Sequence, residues 1–161
     1  MVSSLLVLSK FLYLASATLT IGHLLLLLFF VRNKEGAIKE EFLYLRKRIS
    51  LFAWVWALST IIFILATLAS ILDLPFSSAF DLTMLRSFLT QISLGKSLAL
   101  QTIGALVVAL WSSRVKKVSY GALILALSIV SISIAIFQSH SASGGSHLIA
   151  TGTLQIGRAH V

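Results

Sequence analysis

The chain has 161 residues, of which 58% are hydrophobic and 11% charged, with one proline and no cysteine. A soluble domain carries about a quarter charged residues, so this chain cannot cover its apolar surface and needs lipid as its solvent. Its formal net charge of +8 sits in connectors between apolar runs, which marks membrane topology rather than a nucleic-acid partner; the absence of cysteine excludes disulfides, thiolate metal sites and a cysteine nucleophile.

The first predicted span lies within residues 5–31, ample for the roughly 20 residues a helix needs to cross a bilayer. No basic region precedes a short apolar core with a small-residue cleavage site, so the run reads as a retained span. Lys10 reads as a snorkelling anchor. His23 has two open readings. It is either a functional group facing the bundle interior or a wet cavity, or an imidazole bonded to a neighbouring helix.

Residues 32–48 form the first connector, with Arg32, Lys34, Lys39, Arg46, Lys47 and Arg48 against Glu35, Glu40 and Glu41. Glu35 and Lys39 have the i,i+4 spacing of a short surface helix. The second span covers residues 49–72. Trp54 and Trp56 fall near its start, where indole rings favour the headgroup zone. Asp73-Leu74-Pro75 predicts a helix stop and a turn. Phe76, Phe80, Leu82, Met84 and Leu85 predict a short interfacial helix, in which Met84 reads as apolar filler rather than as a soft thioether ligand for Cu(I).

The third span covers residues 88–111. It opens on Thr90-Gln91-Ile92-Ser93-Leu94-Gly95-Lys96, and Gln101 and Thr102 follow. Polar residues at this spacing bond neighbouring helices or line a water-filled pocket. Lys96 is close enough to the end to snorkel, and Trp111 marks the opposite interface before Arg114, Lys116 and Lys117. The fourth span covers residues 118–137, with Ser128, Ser131 and Ser133 as small residues that permit close helix approach. A polar turn, residues 138–147, carries His140 and His147 and no Lys or Arg, and a fifth span begins at about residue 148. The expected architecture is an all-α integral membrane bundle of four transmembrane helices plus the start of a fifth.

The first and third connectors hold nine basic residues, whereas the second and the histidine turn hold Arg86 alone. Lys and Arg accumulate in cytoplasmic loops. This places the 32–48 and 112–118 loops in the cytoplasm, and the N-terminus and the 138–147 turn outside. All three tryptophans then fall at cytoplasmic ends.

Residues 155–161 stand apart. Ile156-Gly157-Arg158-Ala159-His160-Val161 is the translation of a common sequencing adapter, ATCGGAAGAGCACACGTC. The native part is therefore expected to be residues 1–154, with Arg158 and His160 foreign to it. Leu14-Ala-Ser-Ala-Thr-Leu19 also echoes Ile149-Ala-Thr-Gly-Thr-Leu154 without a gap, as the opening of a second repeat would.

Taken by themselves, His140 and His147 have two readings. Imidazole suits copper and zinc, and a Ser/Gly turn allows two rings seven residues apart to converge. Equally, both are polar interface residues at a turn, with Ser146 capping the next helix.

Four stretches together resemble CopD-type copper resistance membrane proteins. Leu14-Ala15-Ser16-Ala17-Thr18-Leu19-Thr20-Ile21-Gly22 is similar to that family's small-residue opening helix. Gly95-Lys96-Ser97-Leu98-Ala99-Leu100 resembles the start of its third helix. Ser139-His140-Ser141-Ala142 resembles a Gly-His-Ala turn after the fourth, and His147-Leu148-Ile149-Ala150 resembles the His-Leu-Leu-Ala opening of the fifth. The chain departs from the pattern at Leu154, where the family has tryptophan, at Tyr13, where histidine often occurs, and at His23, which replaces a glycine. The resemblance covers nearly the whole native stretch and implies the N-terminal half of a multi-pass protein of a bacterial inner membrane. It implies copper as cargo, met at the outer face by His140 and His147 with His23 deeper, and a periplasmic copper-binding protein or domain as partner.

The chain shows no phosphate-binding loop and no catalytic triad, so no enzymatic activity is expected and energy for transport must come from a gradient or a partner. Two other functions compete. One is an electron-transfer protein with haem b held between paired histidines; the other is a ligand-free structural membrane protein.

Overall fold

The computed structural model describes residues 2–30, 43–115 and 117–134, and the described residues are helical apart from short connections. Helix α1 spans Val2–Phe30 and α2 spans Leu43–Ile71. A 3-10 turn, Phe76–Phe80, leads into α3, Leu82–Gln91, and α4, Ser93–Ser112. Helix α5 covers Val118–Ile134. At 29 residues each, α1 and α2 are about 43 Å long, against a hydrocarbon core of about 30 Å. Three helices are long and apolar enough to cross a membrane, Val2–Phe29, Tyr44–Ile71 and Ser93–Ser112, and Val118–Ile134 is a shorter apolar helix.

The long helices run antiparallel in chain order. Tyr13 meets Phe63 and His23 meets Phe52 between α1 and α2. Ser50 Oγ donates to the Ala109 carbonyl at 3.0 Å between α2 and α4. A β-carbon on Gly104 of α4 would strike Ser131 of α5, so the small residues predicted to permit close approach do so here. Helix α5 returns to α1 as well, with Gly121 set against Leu28 and Leu27.

Three apolar clusters stack along the bundle. At one end, Leu24, Leu27, Leu45, Ile49, Ala53, Val108, Ala109, Val115 and Ile124 pack together. Tyr13, Ala17, Trp56, Ala57 and Ala105 form the middle. At the other end Ile64, Leu65, Leu68, Ala69, Ala79, Phe88 and Leu98 join the end of α2 to the α3–α4 elbow. Large apolar side chains such as Phe11, Phe29, Leu51, Ile103 and Leu123 point outward, as lipid-facing residues do.

Three expectations change. The second helix starts at Leu43 rather than 49, so Arg46, Lys47 and Arg48 belong to its first turns. Arg46 is a reason why the helix extends that far: its Nη1 donates to the Val115 carbonyl at 2.9 Å, tying the start of α2 to the α4–α5 connection. The third span does not begin at Phe88, which lies inside α3. Ile92 is extended, with φ −89° and ψ 129°, and divides α3 from α4. Third, Trp56 is no headgroup anchor. It is fully buried in the middle cluster, whereas Trp54 and Trp111 are exposed. The small residues Ala17, Ala57 and Ala105 leave the space its ring fills.

The punctuation after α2 follows the prediction. Asp73 adopts a left-handed φ of 52°, and Leu74 N–H bonds back to the Ala69 carbonyl at 3.0 Å, the 6→1 bond of a Schellman end. Asp81 then caps α3, accepting from the N–H groups of Thr83 and Met84. Phe80, Leu82 and Met84 lie exposed while Phe88 is buried, the pattern of the expected interfacial helix. Lys10 and Lys96 are both exposed, as snorkelling side chains are.

Candidate functional site

Of the three histidines singled out as metal ligands, His23 lies within the described residues; His140 and His147 lie outside them, as does the Glu35–Lys39 stretch. His23 is half-buried on α1, toward the end of the bundle that carries Arg46 and Val115. Its Nδ1 is 2.8 Å from the Leu19 carbonyl of its own helix, and its ring tilts against Phe52 of α2, with centroids 5.1 Å apart. The polar bond is thus to its own helix, and the contact with the neighbouring helix is aromatic. A carbonyl accepts only from a protonated nitrogen, so in the neutral ring the lone pair sits on Nε2. This fixes which nitrogen is free to ligate, as a second-shell bond does for metal-binding histidines. No group of three or more His, Cys, Asp or Glu side chains converges among the described residues, around His23 or elsewhere.

The bundle's polar interior lies at mid-length. Ser16, Thr20, Ser59, Thr60, Gln101, Thr102 and Ser128 are all buried. The hydroxyls satisfy themselves locally, donating to carbonyls of their own helices: Thr20 to Ser16, Thr60 to Trp56, Thr102 to Leu98 and Ser128 to Ile124, each at 2.8 Å. Such bonds cost nothing in tertiary geometry and let a polar residue face another helix.

Gln101 differs. It is 0% exposed, and among the described residues neither Oε1 nor Nε2 has a hydrogen-bond partner. The Trp56 Nε1 is likewise buried and unpartnered. Gln101 stood out in the sequence as a polar residue in an apolar span; Trp56 was misplaced. The usable signal for Trp56 was the face it shares with Ala53, Ala57 and Thr60, small residues that make room beside a large ring.

Five of the eight described basic residues collect at one end, with Lys10, Arg86 and Lys96 toward the other. Arg46, Lys47 and Arg48 open α2, Arg114 and Lys117 flank Val115, and the Arg46–Val115 hydrogen bond joins the two groups. An apolar groove of about 570 Å³ between α4 and α5 also opens there, lined by Val107, Trp111, Arg114, Tyr120 and Leu123 among others.

No curated protein and no solved structure matches this chain. The family described as Copper resistance protein D-like, N-terminal domain, matches residues 1–148, a range that includes His23, His140 and His147. The helical bundle, its membrane-length apolar helices and this match, which covers most of the chain, agree with one another: the chain belongs to the copper resistance protein D-like family.

Proposed function

We propose that this chain is the copper-receiving half of a multi-pass transporter in a bacterial inner membrane. Copper is its cargo, met at the outer face by His140 and His147, with His23 as a deeper imidazole on the same route. The observation that carries this reading is the family match over residues 1–148, which takes in both histidines of the 138–147 turn. The excess of basic residues at one end, five of the eight described, supports the orientation, because Lys and Arg favour the cytoplasmic side. With that end in the cytoplasm, the N-terminus and the histidine turn lie outside, where a periplasmic copper-binding protein or domain can deliver the ion. Imidazole ligands suit copper, and the Leu19 bond leaves the Nε2 of His23 available. The proposed activity is non-enzymatic, with energy drawn from a gradient or a partner.

Copper titration of the purified full chain, wild type against His140→Ala plus His147→Ala, tests the reading. Saturable binding that the double variant loses is expected. Equal weak binding by both proteins would favour a structural membrane protein, and a reduced haem band in the absorbance spectrum would favour electron transfer. Tags in the 138–147 turn and in the 32–48 loop check orientation; a cytoplasmic turn would overturn it.

A further inference from the structure

Among the described residues, the two with unpartnered buried polar atoms at mid-bundle are Gln101 and Trp56, and they share one level of the structure. The Ser50–Ala109 bond sets the antiparallel register of α2 and α4, and counting from it brings Gln101 opposite the Trp56–Thr60 turn. Trp56 belongs to the same buried cluster as Ala105, which is one helical turn from Gln101 and on the same face. Together the side chains offer two kinds of donor, the indole N–H and the amide NH₂, and one strong acceptor, the amide oxygen. A buried polar group left without a partner carries its full desolvation penalty. The hydroxyls around them donate to their own helices.

We propose that Gln101 and Trp56 form a buried water site at the middle of the membrane-spanning bundle. Water is the ligand whose chemistry matches: it accepts from the indole N–H and the amide NH₂ and donates to the amide oxygen. Buried waters commonly make about three hydrogen bonds to groups that otherwise have none. A metal ion is a poor match, because the indole and the amide NH₂ are donors that repel a cation and the pair itself supplies a single amide oxygen as ligand. The site makes a wet point at mid-depth between apolar clusters, and it stands independently of the copper reading.

Pulsed X-ray radiolysis with mass spectrometry reads the site directly, because bound water generates hydroxyl radicals beside the residues it touches. The full chain in detergent is irradiated, and oxidation is followed at Trp56 and at Phe88, a comparably buried aromatic residue in the apolar end cluster. Trp56 is expected to be oxidised severalfold faster than Phe88 despite having no exposed surface. In Gln101→Leu that labelling is expected to fall to the Phe88 level. Wild-type Trp56 as silent as Phe88 would overturn the proposal without recourse to any variant. Labelling of Trp56 unchanged in Gln101→Leu would remove Gln101 from the site and overturn it as stated.

Discussion

A β-carbon on Gly95 would overlap the backbone carbonyl of Phe88. This one contact explains the elbow between α3 and α4. Ile92 turns the chain out of helix, and the first turn of α4 then folds back until its backbone rests on that of α3. Only a residue without a side chain permits that approach.

Gly95→Ala is therefore expected to destabilise the elbow although alanine is the better helix former. The backbone carbonyl cannot rotate away as a flexible side chain would, so the loss should be about 1–3 kcal/mol, the usual range for overpacking. Thermal unfolding in detergent checks this; a raised midpoint would contradict it.

Gly104 poses the same question between α4 and α5. An added β-carbon there would lie 2.8 Å from Ser131 Cβ and overlap Ser131 Oγ. Removing the hydroxyl alone does not clear the clash, because the Ser131 β-carbon also obstructs. Gly104→Ala should open the helix pair, and Ser131→Gly in the same chain should restore the space. A double-mutant cycle is expected to show favourable coupling, about 0.5–3 kcal/mol for residues in contact. Simple additivity would show that the two helices move apart freely.

Arg46 holds the basic end together through the Val115 carbonyl. Arg46→Ala removes a charged donor from a half-buried position and should cost about 1.5–3 kcal/mol, toward the lower end given its partial exposure. Arg46→Lys should recover only part of this, because the ammonium sits on a shorter, more flexible stem and does not place a donor where the planar guanidinium holds Nη1. Chemical denaturation of the three proteins in one detergent compares them. Full recovery by lysine would reduce the interaction to charge alone.

Asp73 occupies a left-handed conformation at the end of α2. Glycine reaches that region without steric cost, so Asp73→Gly is expected to raise the unfolding midpoint and Asp73→Val to lower it. Differences of about 1 kcal/mol in opposite directions are expected. The same sign for both would mean that the Asp73 side chain, and not its backbone, sets the stability.

The membrane character of the chain was open to reading before any coordinates. Twenty-residue apolar runs separated by basic connectors have few physical solutions, since backbone polar groups in lipid must be satisfied within the segment. The stop at Asp73-Leu74-Pro75 and the packing role of Ser131 were equally plain, because each depends on local geometry or residue size. The elbow at Ile92 and the burial of Trp56 were not. Ile92 has no breaker signal of its own, and the break depends on Gly95 reaching the Phe88 backbone through space. A tryptophan near a basic segment has the same local signature whether it faces headgroups or a partner helix.

For the candidate metal residues, chemistry was readable and placement was not. Histidine type is compatible with copper or zinc and equally with a plain polar turn, the spacing deciding neither, and the family match gives the class as copper resistance. The bond from His23 to Leu19, which leaves Nε2 free, required coordinates.

Composition and hydropathy, being properties of the chain in order, were enough to establish lipid as the solvent, helices as the spanning elements and one end as basic. Which faces of those helices meet depends on residues far apart in the chain, so the folded bundle alone decided that Trp56 and Gln101 are sealed inside it at one level, each with polar atoms that no described residue satisfies.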